Sequence, residues 1–175
     1  FVSRGAQSEQ FTSSGGSFTS TEGGPVQLST GGLGFTVTLA DGTVATYWNA
    51  PKNNSWPAAN QAVLLQEITP QNEVIFYNWE QSSEICVVDE PEIPGCQISQ
   101  KAYRLQSVSN NFGYQIHFDF AGNSVNQVAD FTAWQTVTKV TALNRTVDHC
   151  GDFQDTCALT QNWPSLTFTG FDSQP

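Results

Sequence analysis

The sequence predicts an all-β protein built of stacked antiparallel β-hairpins. Apolar and polar residues alternate over short runs, as in "GYQIHFDF" from Gly113 to Phe120, which is the period of a strand with two different faces. Turn-forming residues separate these runs, and the runs themselves recur along the chain. No segment of useful length carries the 3.6-residue period of an amphipathic helix.

Residues 1–34 form a Gly-, Ser- and Thr-rich lead-in, where Phe11, Phe18, Val26 and Leu28 recur between glycines and predict short strands. Residues 35–175 are expected to be a single structural unit of hairpins with two disulfide-stapled loops. In "FTVTLADGTVATYW", Phe35, Val37 and Leu39 alternate with threonines, Asp41-Gly42 supplies the turn and Val44 to Trp48 returns. "NAPKNNSWPAAN" reads as a loop because Pro51 and Pro57 bar regular structure. A second hairpin runs from Val63 to Trp79 with Gln71-Asn72 as its turn. An acidic excursion follows, and then a third hairpin over Tyr103–Asn123. Residues 131–143, "FTAWQTVTKVTAL", read as a further strand, and Leu166 and Phe168 alternate with Thr167 and Thr169 in a last one.

The repeat is explicit. Leu65, Gln66 and Ile68 align with Leu105, Gln106 and Val108; after one inserted residue, Ile75, Tyr77 and Trp79 align with Ile116, Phe118 and Phe120. A partial copy places Gly42, Ala45 and Tyr47 over Asn72, Ile75 and Tyr77. One hairpin cannot bury its apolar face alone, whereas hairpins set side by side make a continuous sheet.

Composition excludes several function classes. The net charge is −10, and the six basic residues (Arg4, Lys52, Lys101, Arg104, Lys139, Arg145) are scattered, so a nucleic-acid backbone or an anionic membrane surface is a poor partner. No apolar run approaches the roughly eighteen residues of a membrane span. The chain opens on Phe1 and has no methionine, which predicts a processed or excised piece of a longer protein. Four cysteines fall in two close pairs, Cys86 with Cys96 and Cys150 with Cys157. Both spacings are wider than the usual zinc pairs. Local disulfides fit better, each adding about 2–3 kcal/mol, and persistent bridges imply an extracellular or cell-surface setting.

The pattern "R-L-x-S-V", a turn, then "G-Y-Q-hydrophobic-x-F-x-F-x-G-N" in residues 104–123 resembles the RHS/YD-repeat family of bacterial cell-surface and toxin-delivery proteins. "LADGTVATY" is similar to the segment that leads into such repeats, and "KVTALNRTVDHCGDFQDTC" with "NWPSLTF" to cysteine-bearing stretches inside large members. The Tyr-Asp dipeptide of the family's name occurs nowhere in the chain. The resemblance implies a curved sheet or strip of an RHS-like shell, whose edges pair with the rest of a parent chain or with copies of itself.

Candidate chemistry is sparse. His117 and Asp119 share one face of a strand, about 6–7 Å apart by strand geometry, and are expected to sit on the wet side of the sheet. On that reading His117→Ala costs well under about 1 kcal/mol. His149 precedes Cys150 and invites metal or thiol chemistry, which a disulfide at Cys150 would forbid. Asp89, Glu90 and Glu92 read as a solvated acidic loop, or a weak calcium contact, rather than paired catalytic carboxylates. Trp48, Trp56, Trp79, Trp134 and Trp163 keep a carbohydrate-binding β-sandwich as the alternative, with a small hydrolase behind it. No catalytic or metal residue and no cofactor is expected, and the function predicted is architectural.

Overall fold

The computed structural model describes residues 2–4, 7–15, 17–21, 23–31, 34–49, 62–88 and 98–169. Its strands are β1 (Val2–Arg4), β2 (Gln7–Glu9), β3 (Phe11–Ser14), β4 (Ser17–Ser20), β5 (Gln27–Gly31), β6 (Gly34–Thr38), β7 (Val44–Asn49) and β8 (Ala62–Ile68). They continue with β9 (Val74–Gln81), β10 (Ile85–Val88), β11 (Ile98–Gln100), β12 (Tyr103–Asn110), β13 (Tyr114–Phe120), β14 (Val137–Asn144) and β15 (Ser165–Thr167), with one helix, α1 (Asp130–Gln135). The protein is all-β. Nine strands make one open antiparallel sheet in the order β15-β14-β13-β12-β9-β8-β7-β6-β5, and β1-β2, β3-β4 and β10-β11 are separate two-stranded pairs. The described residues divide into two compact units, the first reaching Ile75 and the second beginning at Phe76. The boundary expected at residue 34 falls inside the β5–β6 hairpin, paired from Gln27↔Thr38 to Gly31↔Gly34.

The repeat read from the sequence recurs as a turn. Leu39 N–H donates to Thr43 O and Gly42 N–H to Leu39 O; Thr69 N–H donates to Glu73 O and Asn72 N–H to Thr69 O. Gly113 N–H donates to Asn110 O in the third. Each is a three-residue hairpin loop whose last residue has positive φ: 87° at Gly42, 62° at Asn72 and 89° at Gly113. Such loops need a residue that tolerates the left-handed region, and glycine and asparagine are the ones that do.

In the first unit Val37 and Ala45 are fully buried opposite one another, and Ala45 faces Glu67, itself buried. Gly34 is obligatory there, because a Cβ would lie 1.8 Å from the Tyr47 carbonyl oxygen. The core of the second unit is Trp134 with Ala102 and Val125, flanked by Phe131.

Two expectations are corrected. Residues 131–135 are helical, and the strand begins only at Val137. The Asp130 carboxylate accepts the backbone N–H groups of Asn126 and Gln127 at 2.9 and 3.1 Å and the Gln127 side-chain amide at 3.3 Å; the Asn126 bond first, then that of the Gln127 side chain, hold its carboxyl below the usual range. The short helix that follows swings Trp134 into the core, a burial that outweighs strand propensity. The second correction concerns β13. Its polar face is not wet: Gln115 and His117 are each 2% exposed, while Tyr114 and Ile116 on the other face are 59% and 43% exposed. The cause is the segment around the second cysteine pair, which folds across the polar face.

Candidate functional site

The sequence builds this site by placing short polar side chains at alternate positions of β12–β14. Register puts His117 opposite Ser107 on one side and Thr141 on the other, and Gln115 opposite Ser109 and Leu143. Ser107, Ser109, Gln115, His117 and Thr141 are all buried. The lid over them is held by its own backbone carbonyls. Ser107 Oγ donates to Asp152 O at 2.8 Å, and Gln106 Nε2 donates to Gln154 O at 2.9 Å and to Phe118 O at 3.1 Å. Arg145 Nη1 donates to the Asp152 carboxylate at 3.0 Å.

Arg104 ties the lid to the sheet and the helix. Its guanidinium lies over the rings of Phe120 and Trp134, 4.2 and 4.6 Å from their centroids. Nε donates to Glu80 at 2.7 Å, Nη1 to the carbonyls of Gly122 and Trp134 at 2.9 and 3.1 Å, and Nη2 to Asp155. Planar geometry, fixed charge and five donors make arginine suited to such a place, where lysine would leave acceptors unmet.

Asp148 anchors the far end of the lid. Buried, its carboxylate accepts from Thr160 Oγ1 (2.6 Å), Thr160 N–H (3.0 Å), Gln161 N–H (3.2 Å) and Trp163 Nε1 (2.7 Å). The Thr160 hydroxyl, then the Trp163 indole, favour the charged form and hold the carboxyl below its ordinary value despite desolvation. The sequence reading gave Asp148 no role. Its donors lie twelve to fifteen positions away, and no short motif marks such bonds.

Between these anchors lies the chemistry-bearing group. Cys150 and Cys157 are bridged, with Cα atoms 5.3 Å apart, as expected for that pair. Cys86 is also disulfide-bonded; Cys96 lies outside the described residues, as do Asp89, Glu90, Glu92, Trp56, Pro51 and Pro57. Cys150 Sγ is 3.6 Å from His117 Nδ1. The other ring nitrogen, Nε2, is 3.3 Å from Asp119 Oδ1, close enough for an ion pair but without hydrogen-bond geometry. His117 and Asp119 are therefore much nearer than regular strand spacing implies, and the register shift at Asp119/Phe120 is the kind of irregularity that re-aims a side chain. His149, the histidine beside Cys150 in sequence, is exposed; the histidine that touches the sulfur comes from β13. Buried as it is, His117→Ala is expected to lower stability by about 2 kcal/mol, which a denaturant melt would measure.

Of the tryptophans, Trp134 is core, Trp48, Trp79 and Trp163 are half-buried, and no described tryptophan is exposed. Trp79 and Phe120, aligned in the repeat, are alike in being half-buried. No helix among the described residues is long and apolar enough to cross a membrane.

No family model, curated protein or solved structure matches the chain. The resemblance to RHS/YD repeats therefore rests on the sequence patterns of residues 39–47, 104–123 and 139–168 alone.

Proposed function

We propose that the chain is an architectural β-sheet segment of a secreted or surface protein, and that it assembles by strand pairing with a second copy of itself. The observation that carries this reading is the β5 edge. Strand β5 ends the nine-stranded order and is paired only with β6 among the described strands. Its residues, Gln27 to Gly31, include neither a charge nor a proline, two of the devices by which natural edges repel a further strand. Beside it runs a groove of about 590 Å³, with Phe18 and Thr19 of β4 on one side and Leu28 and Ser29 on the other. An extended strand added there would gain main-chain hydrogen bonds along β5 and shallow pockets for its side chains. An uncharged edge also lets copies approach despite a net charge of −10 each.

The finer form of the proposal, a strip of an RHS-like shell, draws on the recurrence of one hairpin turn at Gly42, Asn72 and Gly113. A secreted setting draws on the Cys150–Cys157 bridge.

Sedimentation velocity across a concentration series tests the assembly. The wild-type mass should rise with concentration, and Ser29→Lys, which puts a charge on the exposed edge, should restore the monomer. A strict monomer at high micromolar concentration removes the proposal.

A further inference from the structure

We propose that the Cys150–Cys157 bridge is a redox switch whose reduced form binds one thiophilic divalent cation, zinc in the first instance. Its ligands would be His117 Nδ1, Cys150 Sγ and Cys157 Sγ, with Asp119 positioning the imidazole. The inference is separate from the assembly reading, since the site lies within the second unit and uses no strand edge.

The geometry comes first. The three ligand atoms lie within 4.8 Å of one another. In a tetrahedral zinc site with Zn–S of about 2.3 Å and Zn–N of about 2.0 Å, neighbouring ligand atoms stand about 3.5 Å apart. The 3.6 Å between His117 Nδ1 and Cys150 Sγ is already that separation. Only Cys157 must withdraw on reduction, and it sits in the half-exposed stretch of the lid, between exposed Thr156 and Ala158. A fourth position is left for water, the pattern of an open zinc site.

The orientation of the histidine is the second observation. A metal-bound imidazole uses one nitrogen for the ion and usually gives its other N–H to a carboxylate, which fixes the tautomer and raises the ligand's basicity. His117 turns Nδ1 to the sulfur and Nε2 to Asp119. Nε2 is buried and lacks a hydrogen bond, so the protein bears a desolvation cost at this nitrogen that a small shift of Asp119 on metal binding would relieve. The seven-residue separation of the two cysteines, too wide for a zinc knuckle, is no obstacle, because the lid's anchors on Ser107, Gln106 and Asp148 hold the sulfurs over the sheet.

The chemistry balances with an external dithiol as reductant. It transfers two electrons and two protons to the bridge, becoming a cyclic disulfide and leaving two thiols at Cys150 and Cys157. The cation then displaces both thiol protons to solvent and is held by two thiolates and one neutral imidazole. A small-molecule disulfide reverses the sequence: it takes two electrons from the thiolates and two protons from solvent to become two thiols, while the S–S bond reforms and the ion is released.

The test uses the full chain, reduced with a phosphine that does not bind the metal strongly and titrated anaerobically with Co²⁺ as a spectroscopic substitute for zinc. One equivalent per chain should give the thiolate charge-transfer band and the intense d–d bands of a tetrahedral site, and Zn²⁺ should displace it. The oxidised protein should give neither. His117→Gln and Cys150→Ser should each abolish the tetrahedral spectrum, whereas Cys86→Ser should keep it. Asp119→Asn should keep the spectrum but weaken affinity by about 10–100-fold. Circular dichroism of each oxidised variant establishes that it folds, and Cys157→Ser, altered at the half-exposed end of the bridge, serves if Cys150→Ser does not. A reduced wild type that unfolds, fails to give the spectrum, or gives one indifferent to His117→Gln overturns the proposal.

Discussion

At the scale of single residues, the second unit depends on polar side chains placed where apolar ones are expected. Arg104 is the clearest case, since one guanidinium meets Glu80, Asp155, two carbonyls and two aromatic rings. Its two carboxylate partners remain about a quarter to a third exposed, so they would not be stranded without water if it were removed. Arg104→Ala is therefore expected to cost about 3 kcal/mol, at the low end for breaking a buried pair, and urea melts would register it. The sequence reading counted Arg104 among scattered bases because its partners come from residues as much as 51 positions away. Burial of a charge was illegible for the same reason, as it depends on what covers the strand rather than on the strand.

At the scale of elements, the turns were the most legible feature and the cysteine lid the least. Asp41-Gly42 and Gln71-Asn72 mark their hairpins by local chemistry, since a positive φ is a constraint that only a few residue types satisfy. Gly113→Ala would force a side chain into φ +89°, and a loss of about 1–2 kcal/mol is expected, seen as a lower urea midpoint with an unchanged slope. The helix at Asp130–Gln135 escaped detection because one and a half turns give no period to read. The lid's hold on Asp148 makes stability depend on acid. Its folded carboxyl is held low, so its contribution is complete above the ordinary carboxylate range and fades as pH falls through the lowered value. Melting midpoints should fall toward acid pH, and Asp148→Asn should both lower the plateau and flatten that fall. An unchanged acid slope in the variant would show that other carboxylates set it.

At the scale of the whole molecule, alternation correctly foretold the all-β class, because a two-residue period is a property of strands whichever face is buried. It misassigned the faces. The two-residue period says that two faces differ, and hydropathy then supplies the guess that the oily one is inside. Here a disulfide-bridged segment lies across the other one, in β13 at Gln115 and His117. That inversion has a practical consequence for handling the protein. Environment-sensitive dyes report unfolding because they brighten on newly uncovered apolar surface, yet Phe112, Tyr114, Ile116, Leu166 and Phe168 already offer such surface in the native fold. The dye signal should be high before heating begins, and a thermal scan read that way would register a native protein as a molten one.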